Sequence, residues 1–304
     1  YIKRNPTSLF KIQRRGGKGK TGMTTKEEDF VSNLFIASTH SYILFFTDKG
    51  KAYALKVYDI PQAGRAAKGK AIVNILNVAQ DEHITAFLPV REFVEDNYIV
   101  MATAHGVIKK SDLMSFANIR SGGLIAVSLD EGDSLIAARL TDGKQDIFLG
   151  TRLGQAIRFH EDEVREMGRQ ARGVRAIRLD VEDRVVSMEM VEDNATVLTV
   201  TERGYGKRTD FGEYRGQARG GSGLINIKIT EKNGPVCGMT KVRGSDELMI
   251  STSVGKIIRI AMKDVAVIGR NTQGVKLMDI EKDEQITGIA PIAEKEEDSD
   301  EAEA

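Results

Sequence analysis

Residues 196–208 read TVLTVTERGYGKR. A β-branched apolar run ends at Thr201, two charged residues follow, and Gly204 leads into a second strand-like segment. Glycine supplies the positive φ that a tight turn or bulge requires, so this stretch predicts a β-hairpin. The Thr-x-x-Gly pattern recurs as TDKG (Thr47–Gly50), TAHG (Thr103–Gly106), TRLG (Thr151–Gly154) and TSVG (Thr252–Gly255). Successive glycines lie 56, 48, 50 and 51 residues apart. Apolar runs (ILFF, IVMA, IFLG, LMIS) precede these turns, and alternating segments such as KAYALKV and KIIRIAM follow them.

A second marker keeps tighter time. Ile84, Leu135, Val185, Val236 and Ile286 each follow a polar turn and open a strand, at spacings of 51, 50, 51 and 50. Leu34, fifty residues before Ile84, is expected to open the equivalent strand LFIAST. The first residues, YIKRNPTSLFKIQRRGGKG, match YGKRTDFGEYRGQARGG after the TERG turn, so the chain is expected to begin inside a repeat. It opens with neither a start methionine nor a signal peptide and reads as a piece of a longer protein.

Six units of about fifty residues, rich in short strands and without long amphipathic helices, predict an all-β, six-bladed propeller-like disk over residues 1–293. Shorter WD-type repeats are excluded because the chain has no tryptophan. Kelch-type blades share the period and the double glycines and remain an alternative. YDIPQAGR and EDEVREM are read as connections with room for one helical turn.

Composition narrows the function. No apolar run approaches the ~20 residues that span a bilayer; the longest candidates are short, such as Tyr42–Phe46. Cys237 is the only cysteine, which excludes an internal disulfide framework and suits a reducing compartment. It lies in the apolar run PVCGM and is expected in the core. His40, His83, His105 and His160 stand at no metal-ligand spacing, and no catalytic constellation, metal site or cofactor is expected. The formal net charge is zero, yet the last eleven residues, EKEEDSDEAEA, hold seven acids and one lysine. Residues 1–293 therefore carry 43 basic and 37 acidic side chains, followed by an acidic tail, 294–304, read as a disordered solubilising end or as a competitor for the basic body.

The cations keep the repeat's register. With Gly19 as anchor, the equivalent glycines are read as Gly69, Gly122, Gly173, Gly220 and Gly274, closing the arms RAAKG, NIRSG, RQARG, GQARG and RNTQG. Beside them stand Lys20, Arg65, Lys68, Lys70, Arg120, Arg169, Arg172, Arg175, Arg215, Arg219, Arg270 and Lys276. Further cations follow the hairpin turns, as at Lys109–Lys110, Lys207–Arg208 and Arg259. Six such loops at one edge of a disk make a cationic rim suited to a bent polyanion. The arm QRRGGKG (Gln13, Arg14, Arg15, Gly16, Gly17, Lys18, Gly19) is the densest, and NIRSG has the fewest cations. Gly19-Lys20-Thr21 imitates the end of a P-loop, but Arg14 stands where that motif needs its first glycine.

QRRGGKG resembles the signature box of the DNA gyrase A C-terminal domain, and KEEDFV, MATAHGVIKK, GYGKR and VGRNTQGV are also similar to segments of that family. The resemblance covers essentially residues 1–293. It implies a six-bladed β-pinwheel, in which neighbouring blades exchange strands and the rim bends and wraps double-stranded DNA. Gln13–Gly19 would secure the DNA near the closure between first and last blades. It further implies a non-catalytic domain of an ATP-dependent type II topoisomerase, whose partners in an A2B2 holoenzyme are the gyrase B subunit, on one side, with the rest of the gyrase A polypeptide on the other. The setting would be the bacterial cytoplasm, with no membrane, and the domain alone would be monomeric. None of the seven tyrosines is expected to be catalytic. The alternatives are a topoisomerase IV-type DNA-binding domain without strong wrapping and, from a different class, a Kelch-like protein-binding propeller.

Overall fold

The computed structural model describes residues 1–6, 20–21, 36–64 and 67–292. Hydrophobic periodicity and turn chemistry act as expected: Ile84, Leu135, Val185, Val236 and Ile286 each open the innermost strand of a four-stranded antiparallel sheet.

From inside outward, the first blade orders Ile84–Val90, Tyr42–Thr47, Lys51–Lys56 and Leu124–Ile125. The second orders Leu135–Thr141, Tyr98–Thr103, Val107–Asp112 and Val174–Arg175. The third orders Val185–Met190, Asp146–Thr151, Gln155–His160 and Leu224–Ile225. The fourth orders Val236–Val242, Thr196–Thr201, Tyr205–Asp210 and Val275–Lys276. The fifth orders Ile286–Ile292, Glu247–Thr252, Lys256–Ala261 and Lys20–Thr21. Every outermost strand thus comes from a different repeat than the rest of its blade, which is the strand exchange of a pinwheel. In the fifth blade it comes from near the chain's start, through Lys20 opposite Ile257 and Thr21 opposite Lys256.

The blade count needs correction. The described residues form five blades, whereas the sequence predicts six. Leu34 and most of the N-terminal repeat lie outside the described residues, as does the acidic tail, while the described part of the expected strand LFIAST, Ile36–Thr39, forms no strand. Residues 1–6 nevertheless occupy the place of a hairpin's second strand: Ile2 bridges Lys70 antiparallel and Arg4 bridges Gln62 in parallel. Ile108 with Val174 and Lys110 with Glu166 make the same pair of contacts in the second blade.

Thr-x-x-Gly recurs because it performs two tasks. Gly204, at φ +82°, donates its amide to the Thr201 carbonyl at 3.1 Å and closes the hairpin. Its own carbonyl accepts from the Leu277 and Met278 amides (2.8 and 3.2 Å) of the next repeat. A Cβ there would stand 2.4 Å from the Met278 carbonyl oxygen, so the exchange itself excludes a side chain. Gly50, Gly106 and Gly154 dock Ala126, Ala176 and Asn226 in the same way.

The inner strands pack in succession around an axial cavity of about 600 Å³. Hydrophobic cores lie between blade faces, which is why central strands such as TVLTVT are buried along their whole length instead of alternating. Each inner pair carries a bulge at the same place, for instance between Val200 and Thr201. Bulges add local twist, here at the start of every innermost strand. The connections read as single helical turns are 3-10 turns, Val57–Asp59 and Glu161–Glu163 among them.

Candidate nucleic-acid interface

The arms ending at Gly123, Gly173, Gly223 and Gly274 lie at the outer edge of the blades, each running into a two-residue outermost strand. Their register corrects two anchors. The positive-φ glycine immediately before the outer strand is Gly123, not Gly122, and Gly223, not Gly220. Consecutive glycines in SGG and RGGSG hide the equivalence, which only strand pairing reveals. At Gly173, where φ is +104°, a Cβ would stand 2.5 Å from the Ile108 carbonyl oxygen, so this site needs glycine for close approach.

The cations on these arms divide into free and committed groups. Lys70, Arg120, Arg175 and Arg215 are exposed, and their side chains carry no partner among the described residues. Arg172 is exposed but forms a fork with Asp130 through Nε at 2.6 Å and a second contact. That pairing holds the Asp130 carboxyl below its usual range and raises the arginine. Lys276 is paired with Asp279 at 3.0 Å. Lys68 packs over the Tyr1 ring at 3.8 Å.

Arg219 and Arg270 are half-buried stitches. Arg219 donates to the Glu163 carbonyl at 3.2 Å and to the Arg175 carbonyl of the neighbouring outer strand. Arg270 donates to the Ile225 carbonyl at 2.8 Å and lies over the Tyr214 ring at 5.9 Å. Both therefore tie one arm to the next. Arg169 is partly buried and offers its backbone carbonyl to Lys109.

Two expected rim cations are corrected outright. Lys207 is 0% exposed, and Arg208 is buried. Lys207 Nζ donates to the Gly269 carbonyl at 2.7 Å and to that of Arg270. Burial, with Arg270 adding to it, lowers the Lys207 pKa to about 8. Arg208 donates to Thr196 Oγ1 and to the Met262 carbonyl, both at 3.0 Å. Lys109 and Lys110 are likewise buried. These residues sit inside hairpin strands covered on both faces, although as cations following hairpin turns they were expected on the rim.

The box Gln13–Gly19 and Arg65 lie outside the described residues, as do the side chains of Lys20 and Thr21. Sequence reasoning passed over Arg165, exposed at the start of its arm in line with Arg215, and over Arg178, exposed just past an outer strand. The repeat register was the signal that could have found both.

Elsewhere, Cys237 is partly buried against the core between the fourth and fifth blades, and burial pushes its thiol up to about 12. His83 and His160 each lie 3.2 Å from a neighbouring carboxylate (Asp48 and Asp162), and His105 lies 3.9 Å from Asp133. Among the described residues no cluster of histidine, cysteine and acid has the makings of a metal site. None of the described helices is long and apolar enough to cross a membrane.

Strand-exchanged four-stranded blades with exposed cations along their outer edge define a pinwheel of the propeller type. The chain belongs to the family described as DNA gyrase C-terminal domain, beta-propeller, whose model matches residues 1–38, 41–91, 97–142, 145–192, 195–236 and 246–293. It is 45% identical over 300 residues to the DNA gyrase A subunit of Salmonella typhimurium, covering 99% of this chain and 34% of that protein. The chain thus spans about a third of the length of the curated relatives it matches. A solved DNA gyrase A C-terminal domain superposes with a TM-score of 0.89 over 96% of each chain at 24% identity. The C-terminal domain of a DNA topoisomerase IV superposes at 0.73, with 25% identity, over 89% of this chain and 85% of that one.

Proposed function

We propose that this chain binds duplex DNA without regard to base sequence and wraps it with a fixed hand around the arm-bearing edge. In this reading it serves as the non-catalytic accessory domain of a bacterial, cytoplasmic DNA gyrase. Joined to the rest of the gyrase A polypeptide in an A2B2 assembly with the B subunit, it would enable ATP-dependent negative supercoiling. One observation supports the reading: exposed cations recur on successive arms along one edge, as at Arg120, Arg175 and Arg215, in a chain of the gyrase family.

Contacts would run to phosphates, and sequence preference would come from the cost of bending. Smooth bending of a 20–30 bp site costs on the order of 1–6 kcal/mol, so no single arm holds a wrap and the contacts must be spread. In the box, replacing Arg14, Arg15 and Lys18 by alanine is expected to leave binding and abolish the wrap. Deleting residues 294–304 is expected to tighten binding at low salt if the tail competes with phosphates.

The decisive experiment seals nicked circular plasmid with ligase in the presence of the protein and resolves the deproteinised topoisomers. A protein-dependent gain of positive linking number supports chiral wrapping. Binding without a shift in topoisomers favours a topoisomerase IV-type function, which the similarity to that domain keeps in view. Absence of salt-dependent DNA binding would leave a Kelch-like, protein-binding propeller.

A further inference from the structure

The arms are held in two different ways, and the two ways alternate along the chain. Three arms, within residues 61–69, 165–173 and 266–274, lie against strands that carry lysine at one equivalent position: Lys3, Lys109 and Lys207. Lys3 Nζ donates to the carbonyls of Gly64 (3.0 Å) and Ala67 (2.7 Å). Lys109 Nζ donates to those of Ala126 (2.6 Å) and Arg169. Lys207 donates to Gly269 and Arg270.

The next two residues repeat the grip. Arg4, Lys110 and Arg208 form isolated parallel bridges to Gln62, Glu166 and Val267. Asn5, Ser111 and Thr209 then donate side-chain hydrogen bonds to the carbonyls of Ala63, Met167 (2.8 Å) and Ile268 (2.9 Å). The intervening strands carry Tyr53-Ala54-Leu55, Ile157-Arg158-Phe159 and Ile258-Arg259-Ile260 at these places. Among the described residues no lysine grips the arms they face, 117–123 and 214–223. The gripped arms share a sequence signature, Gly-Arg-x-x-x-Gly, at Gly64–Gly69, Gly168–Gly173 and Gly269–Gly274.

A hairpin strand does not need this lysine, since isoleucine fills the position in two blades. Burying an ammonium is costly even when its hydrogen bonds are satisfied, and a buried charge is poor support for stability alone. Lys109 faces Arg169, and Lys207 faces Arg270 and Glu213, so neither gains a dominant counter-ion. What the lysine does supply is a fixed path for the arm backbone, because it takes carbonyls at or beside the Gly-Arg corner.

Resting on the DNA-binding reading above, we propose that Lys3, Lys109 and Lys207 are positioning residues. They preset every second arm of the rim for phosphate contact, whereas the intervening arm 214–223 is held by its own backbone and Arg219 bonds. None of this asks the lysines to touch DNA: Lys109 is 1% and Lys207 0% exposed.

The test uses the full chain with Lys109→Met and Lys207→Met combined, titrated with salt against a linear duplex. Loss of about two properly placed phosphate contacts lowers the slope of log K against log[salt] by about 2 and weakens binding roughly 60-fold at 0.1 M salt. A variant with Ile157→Val and Ile258→Val, which softens the non-gripping strands, should keep the wild-type slope. A folded double-lysine variant with wild-type slope and affinity overturns the proposal. Amide hydrogen exchange tests it independently of DNA. Arms 165–173 and 266–274 should lose protection in the double-lysine variant, while 117–123 and 214–223 exchange as in wild type. Unchanged exchange in the gripped arms refutes it. Wild-type protein that shows no salt-dependent binding would instead take down the DNA-binding reading.

Discussion

Arginine and lysine on the arms are not equivalent, and a salt titration separates them. Lys70, Arg120, Arg175 and Arg215 are exposed without side-chain partners among the described residues, whereas Arg219 and Arg270 spend their guanidinium groups on backbone carbonyls. Replacing the four free cations together by alanine removes four candidate phosphate contacts. At about 0.9 per contact, the slope of log K against log[salt] should fall by about 3 to 4. At 0.1 M salt the affinity should drop by between three and four decades, roughly 0.9 decade for each contact. Exposed side chains without partners contribute within about 0.5 kcal/mol each to stability, so the variant should unfold close to wild type. Replacing Arg219 and Arg270 should do the opposite first. Each loses hydrogen bonds to carbonyls that water can reach, at a cost of about 0.5–1.5 kcal/mol, and the melting temperature falls before any change in salt slope is read. Fluorescence anisotropy on a labelled linear duplex at low and then at higher salt, paired with denaturant unfolding, measures both. A four-site variant with the wild-type slope would refute the assignment of these arms to phosphate contact.

Two further outcomes follow from the packing. Gly204→Ala combines a left-handed backbone with a Cβ 2.4 Å from the Met278 carbonyl and should cost about 2–4 kcal/mol, whereas Gly216→Ala, with open space around it, should be neutral in the same urea titration. Lys109 and Lys207 give up their protons near pH 8 in the folded protein and near 10.5 when unfolded. Between these values the unfolded chain binds more protons, so stability should rise with pH by up to about 1.4 kcal/mol per unit for each lysine, a rise that the double methionine variant lacks.

Much of the fold was legible because repetition multiplies weak local signals. One Thr-x-x-Gly is a turn; five at near-constant spacing, each flanked by apolar runs, define blades, and five of the six predicted inner-strand starts are observed, the sixth, Leu34, lying outside the described residues. The arms were legible as a class but not in detail. Adjacent glycines displaced two anchors to Gly122 and Gly220, because a glycine's φ depends on which neighbour's carbonyl it must approach. Lys207 and Arg208 were misread as rim cations because they are charged and follow a hairpin turn. In the structure the next repeat's arm covers them.

The sequence alone determines the period, the hairpins, the identity of the family and the recurrence of positive charge, since each rests on local chemistry repeated along the chain. Tertiary structure alone decides which cations meet solvent. Exchange of the outer strand lays each arm across a hairpin of another repeat, so exposure is set by contacts some fifty to sixty residues away, as between Lys207 and Gly269. The same exchange turns three lysines into grips on alternate arms, a role that appears only when the partners' carbonyls are in place.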